Sequence, residues 1–206
     1  MTGAPGTRAV RRGRPGYDLE TLLAVAVEEF NRRGYDGTSM EDLSRKLGIT
    51  KSAIYHHVSG KQELLRLAVN RALDGLFAEV DKLGAVSGRA VDRLEHLVRG
   101  SVAVLAEQLP FVTLLLRVRG NTQVERDALD RRREFDHIVG DLVAQAAAEG
   151  DLRADIDPPT AARLLFGMIN SLVEWYRPRG GTGAAELADI VATVAFDGLR
   201  VRGRSN

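Results

Sequence analysis

The sequence predicts an all-α protein built around a helix-turn-helix. Apolar residues recur at helical spacing from Asp18 onward, N-cap and glycine stop signals bracket each periodic run, and no segment alternates with a period of two. About nine helices result, with no internal repeat.

Residues 1–17 carry Arg8, Arg11, Arg12 and Arg14, no acid and no hydrophobic period, so they read as a disordered basic arm. Leu19, Leu22, Leu23, Ala26, Val27 and Phe30 then form one face of a first helix, capped by Asp18 and stopped by Gly34. After the turn Tyr35-Asp36-Gly37, Thr38 is expected to cap a second helix, with Glu41 closing a capping box. Its inner face is Met40, Leu43 and Leu47, and Gly48 ends it. Thr50 caps a short third helix, Lys51 to His57, and Ser59 opens a fourth in a box with Gln62. The stripe Val91, Leu94, Val98, Val102, Leu105 and Leu109 sets a fifth. Pro110 starts a sixth, and the box Thr122-Gln123-Val124-Glu125 opens a long seventh ended by Gly150. Asp157-Pro158 starts an eighth that stops before Pro178, and a ninth runs from Ala184 to about Leu199.

At 206 residues the chain is long enough for a sizeable core. It lacks cysteine, which excludes disulfides, thiol nucleophiles and cysteine-held metals. The four histidines lack metal-ligand spacing with one another. There is no Walker loop, dinucleotide fingerprint or nucleophile elbow, so neither enzymatic activity nor a cofactor is expected. Stretches without charge, such as Leu164 to Val173, are far shorter than the ~20 residues that span a bilayer, and a cytoplasmic location is expected. Net charge is +1, but the arm holds +4 and the remainder −3. A basic arm on a mildly acidic body fits local contact with a polyanion and equally fits a solubilising tail.

The second and third helices are short and joined through Leu47-Gly48-Ile49-Thr50. Gly48 supplies the positive φ of a tight turn, and Leu43, Leu47, Ile49 and Ile54 lock the two helices together. The third helix presents Lys51, Ser52, Ala53, Tyr55, His56 and His57 and carries no acid. That composition suits entry into a DNA major groove, while Ser39 can offer its hydroxyl to a phosphate near a helix N-terminus.

Residues 18–65, about a quarter of the chain, resemble the DNA-binding domain of the TetR family of bacterial repressors. The matching positions are Ala26, Phe30, Gly34-Tyr35, Thr38-Ser39-Met40, Leu43, Leu47-Gly48-Ile49, Ala53-Ile54-Tyr55-His56-His57-Val58, Lys61 and Leu64-Leu65, with Val58 replacing a common aromatic. The resemblance implies DNA contacts from Thr38, Ser39, Thr50, Lys51, Ser52, Ala53, Tyr55, His56 and Lys61. It also implies that residues 66–206 form a ligand-binding and dimerisation domain. The eighth and ninth helices carry apolar residues over more of their circumference than one core face needs. Leu172, Val191 and Val194 are therefore candidates for a homodimer interface, a core position inside a monomer being the other reading.

Polar residues within the apolar runs are candidates for a small-molecule site: Thr113, Arg117, Arg119, Asn170, Trp175 and Arg177. Residues 116–122, 149–153 and 170–178 resemble members that regulate fatty-acid, phenylacetate or steroid catabolism, several of which respond to acyl-CoA thioesters. The run Arg131-Arg132-Arg133 reads as a solvated face, a clamp for an anionic ligand being the other reading. The expected function is a dimeric repressor of a palindromic double-stranded operator, released by a small-molecule inducer. A ligand-independent architectural DNA-binding protein is the alternative.

Overall fold

A computed structural model describes residues 18–178 and 180–199. The basic arm at 1–17 lies outside the described residues, as do residues 200–206 of the expected second domain. The described chain forms nine α-helices: α1 Leu19–Arg33, α2 Met40–Leu47, α3 Lys51–Tyr55, α4 Lys61–Lys82, α5 Ala90–Glu107, α6 Leu109–Arg117, α7 Gln123–Ala148, α8 Pro158–Trp175 and α9 Ala184–Leu199.

Asp18 caps α1 by accepting the Thr21 N–H at 2.8 Å, and Gly34 ends it with φ of 82°. At α2 the cap falls one residue later than the sequence pattern indicates. Ser39, not Thr38, is the N-cap, and Asp42, not Glu41, completes the box. Thr38 is instead buried, its hydroxyl donating to the Gly34 carbonyl at 2.9 Å. Two neighbouring residues that can both cap are separated only by packing, and burial here claims the threonine methyl. The box before α4 also shifts. Ser59 donates its hydroxyl to Glu63 at 2.6 Å rather than pairing with Gln62, and Gly60 occupies the cap position.

α3 ends at Tyr55, so His56 and His57 lie in the turn that follows. Leu109 belongs to α6 rather than α5, because the chain bends by 101° between those helices. Thr122 caps α7 by accepting the Glu125 N–H, but the Glu125 carboxylate does not return to that cap. It accepts the backbone N–H groups of Arg119, Gly120 and Asn121 at 3.1, 2.8 and 2.8 Å. One buried carboxylate thereby satisfies the loop between α6 and α7.

The core is continuous from α1 to α9. α5 runs through its centre against α9, α7 and α4. α4 is shared: its start packs on α1 and its length on α5, α6 and α7. The expected domain boundary at residue 65 thus falls inside one unbroken helix. No single described helix is long and apolar enough to cross a membrane.

Candidate nucleic-acid interface

α1 forms the floor of the helix-turn-helix. Leu22, Ala26, Val27 and Phe30 are buried against Leu43, Leu47, Ile54 and Val58. Val58 is 3% exposed, so the smaller side chain still occupies an interior position. Gly48 adopts φ 67° and ψ 28°, and the Ile49 N–H reaches back to the Ser44 carbonyl at 3.1 Å. A left-handed residue here closes the α2 C-terminus and redirects the chain into α3 within two residues. Thr50 then caps α3 by accepting the Ala53 N–H at 3.2 Å.

With Ile54 fully buried, the opposite side of α3 faces solvent. Lys51, Ser52, Tyr55, His56 and His57 are exposed, Ala53 is half-buried, and Thr50 is exposed at the cap. Tyr55 is 51% exposed, which removes it from the core. Ser39 is exposed at the start of α2, its hydroxyl accepting from the Asp42 N–H and donating to the Asp42 carboxylate at 2.6 Å. The Ser39 backbone N–H also donates to that carboxylate at 3.0 Å, and the hydroxyl first and this N–H second hold the Asp42 carboxyl below its ordinary value.

Two of the resemblance-derived positions are occupied otherwise. Thr38 is 1% exposed and points inward, so it is a structural residue of the α1–α2 turn. Lys61 donates to the Tyr35 carbonyl at 2.8 Å and lies 4.2 Å from the centre of the Tyr35 ring, tying α4 to the α1–α2 turn.

Two acids escaped the sequence pattern. Glu29 is buried at 1% exposure, with Arg32 at 2.6 Å, Arg33 at 3.3 Å and Lys46 at 3.5 Å. The Arg32 hydrogen bond, then the charges of Arg32, Lys46 and Arg33, outweigh burial and hold its carboxyl below the ordinary value. Glu29 thus joins the C-terminal ends of α1 and α2. Glu41, freed from the capping box, reaches across to Lys51 at 2.9 Å. The one-residue shift of the α2 cap is what frees it, and helical periodicity carries no sign of that shift.

The residues expected to bind a ligand do not converge on one cavity. The Thr113 hydroxyl donates to the Leu109 carbonyl of its own helix at 2.7 Å. Arg117 donates to the Asn31 carbonyl at 2.6 Å, and the Asn31 amide donates to the Pro110 carbonyl at 2.8 Å. Arg117 therefore clasps α6 to α1. Arg119 is exposed in the loop. Asn170 is half-buried in α8, Trp175 is 59% exposed, and Arg177 turns back to the Tyr176 and Glu174 carbonyls. Between α4, α7 and α8 stand Phe77, Phe135 and Phe166, edge to face with centroids 6.1 and 5.1 Å apart. Arg131 is only partly solvated, because it bonds Asn70 and Asp74 and lies over the Phe77 ring, bracing α7 on α4.

The interface candidates also divide. Leu172 and Val191, at 2% and 5% exposure, face the protomer's own core. Val194 faces outward at 62%, with Leu164 at 65%, Trp175 at 59% and Ile190 at 48% also exposed on α8 and α9. A groove of about 220 Å³ runs between these two helices, lined by Ala161, Leu164, Leu165, Met168, Ala195, Gly198 and Leu199.

A helix-turn-helix joined through one long helix to an all-helical second domain defines the class, and the chain belongs to the TetR family of bacterial regulatory proteins. The family's DNA-binding region matches residues 22–68, and a tetracycline-repressor-like C-terminal domain matches residues 87–199. Among solved structures, the TetR-family regulator SCO3833 of Streptomyces coelicolor A3 is 61% identical, with a TM-score of 0.82 over 89% of this chain and 92% of that one. Among characterised proteins, the transcriptional repressor KstR2 of Rhodococcus jostii is 27% identical over 190 residues, covering 91% of this chain and 93% of its own. AibR, solved with isovaleryl coenzyme A and operator DNA, shares the fold at 24% identity and a TM-score of 0.72, over 86% of this chain and 97% of that one.

Proposed function

We propose that the protein is a ligand-responsive, dimeric transcriptional repressor that reads a palindromic operator. The observation that carries this is the exposed face of the helix-turn-helix, where Lys51, Ser52 and Tyr55 of α3 and His56 of the turn after it face solvent. Such a face reads bases in the major groove, while Thr50 and Ser39 hold the flanking backbone. A second copy joins through the outward residues of α8 and α9, and two-fold symmetry then sets two copies of α3 about one helical turn apart.

The KstR2 relatives are named repressors, and in AibR the same fold accepts an acyl-CoA and DNA together. An acyl-CoA is accordingly the first ligand class to test. Its binding would act through two of the connections between the domains. One is α4, which spans both, and the other is the Arg117–Asn31–Pro110 clasp between α6 and α1. A shift in either changes the separation of the recognition helices without touching a base contact. A hundredfold loss of operator affinity requires about 2.7 kcal/mol of coupling, and operator DNA must weaken ligand binding by the same factor.

The test is footprinting on the regulator's own promoter, followed by calorimetry with acyl-CoAs, free acids and drug-like cations, with and without operator. A footprint that one compound removes, with reciprocal loss of its affinity on DNA, is the expected result. A footprint that none of these compounds moves would favour a ligand-independent architectural protein, and absence of any footprint would end the DNA-binding reading.

A further inference from the structure

An acid on a DNA-facing surface needs a reason, because duplex DNA carries one negative charge per about 1.7 Å of axis. Glu41 is such an acid. It lies in the first turn of α2, its side chain is 62% exposed, and its carboxylate is 2.9 Å from the ammonium of Lys51, the first residue of α3. The Lys51 hydrogen bond, then the Lys51 charge, holds its carboxyl below the ordinary value, so it stays ionised through neutral pH. N-terminal residues of a recognition helix are the ones that meet base edges. The pair therefore stands where the major groove is read, with an anionic acceptor and a cationic donor side by side.

One base pair presents the complementary pattern. In the major groove guanine offers N7 and O6 as acceptors and cytosine offers its N4 amino group as donor. An ammonium suits the first and a carboxylate the second. An adenine–thymine pair also offers an amino group, but its acceptors, adenine N7 and thymine O4, lie on either side of it with the thymine methyl beyond, so it lacks the adjacent N7 and O6 pair with which lysine specifically bonds guanine. We propose that Glu41 and Lys51 act as one unit that reads a G·C pair at one position of each half-site, Glu41 accepting from cytosine N4 and Lys51 donating to guanine. This rests on the DNA-binding reading above and adds a specificity residue to it.

The experiment selects binding sequences from a randomised duplex pool with the full-length protein, then repeats the selection with Glu41→Ala, Glu41→Gln and Lys51→Ala. Circular dichroism confirms that each variant is folded, as expected for two exposed residues. The wild-type protein should enrich a palindrome with a fixed G·C pair. Glu41→Ala and Lys51→Ala should each lose discrimination at that same pair, by roughly fivefold to a hundredfold, with the other positions intact. Glu41→Gln should move the preference there toward A·T, since a glutamine amide matches adenine N6 and N7. An unchanged sequence profile in both Glu41 variants would overturn the proposal. So would a Lys51→Ala loss that is uniform across sequences, with the salt slope reduced by about 0.9, because that marks a phosphate contact. If the wild-type protein itself enriches nothing, the DNA-binding reading fails rather than this extension of it.

Discussion

Val194→Asp separates an interface from a core with one substitution. Val194 is 62% exposed on α9, and Ile190, one turn earlier, is 48% exposed. In an isolated protomer an aspartate at Val194 meets water, so stability should change by no more than about 0.5 kcal/mol. In a two-fold dimer built on this face the carboxylate is buried in both copies. Burying an unpaired ion costs several kcal/mol. Even a total of about 4 kcal/mol weakens association about a thousandfold, which turns a nanomolar dimer into micromolar monomers. Sedimentation velocity at about 0.1 μM protein, between the two dissociation constants, paired with a thermal melt, reads both quantities. The expected result is a monomer that still melts cooperatively, at a temperature lowered by the lost association, with no operator binding. Leu172→Asp is the contrast: at 2% exposure its charge enters the protomer's own core and should unfold it. Intact dimers for both Val194→Asp and Ile190→Asp would refute the placement of the interface on this face.

Other outcomes follow from single contacts. Tyr55→Ala should leave thermal stability nearly unchanged, since the ring is 51% exposed, yet cost about 1–3 kcal/mol of operator affinity in a gel-shift titration. Leu43→Ala, at a position with no exposure, should cost about 2–5 kcal/mol in denaturant unfolding and abolish DNA binding with it. Glu29→Gln should destabilise the protein by about 1–3 kcal/mol at pH 7, by weakening the links to Arg32, Arg33 and Lys46. Because the folded carboxyl lies below its ordinary value of 4.5, its contribution is present above that pH and lost as pH falls through the folded value. The wild-type and Glu29→Gln unfolding curves should therefore converge in acid. Arg117→Ala should raise amide hydrogen exchange in α1 and α6 by releasing the Asn31 carbonyl, while α7 and α8 keep their protection. Unchanged exchange in α1 would remove the clasp as a connection between the domains.

Periodicity, caps and stops in the sequence determined the nine helices, because each signal is local. Asp18 before Leu19, Gly48 after Leu47 and Pro158 after Asp157 act within one turn of the residues they organise. The exposed face of α3 was legible for the same reason: once Ile54 is assigned inward, helical geometry sends Lys51, Ser52 and Tyr55 outward. What one turn cannot decide was left to tertiary packing. Thr38 and Ser39 are equally able caps, and only burial against α1 chose the serine and released Glu41 to Lys51. Leu172 and Val194 are alike as apolar residues on over-wide helices, and only the placement of α5 beside α9, and of α7 beside α8, buried one and exposed the other. Arg117 read as a ligand-site candidate and Arg131 as part of a solvated face until helices distant in sequence brought the Asn31 carbonyl to one and Asn70 and Asp74 to the other. Long, flexible side chains take whichever partner the assembled helices supply, and that supply is set by contacts 57 to 86 residues apart.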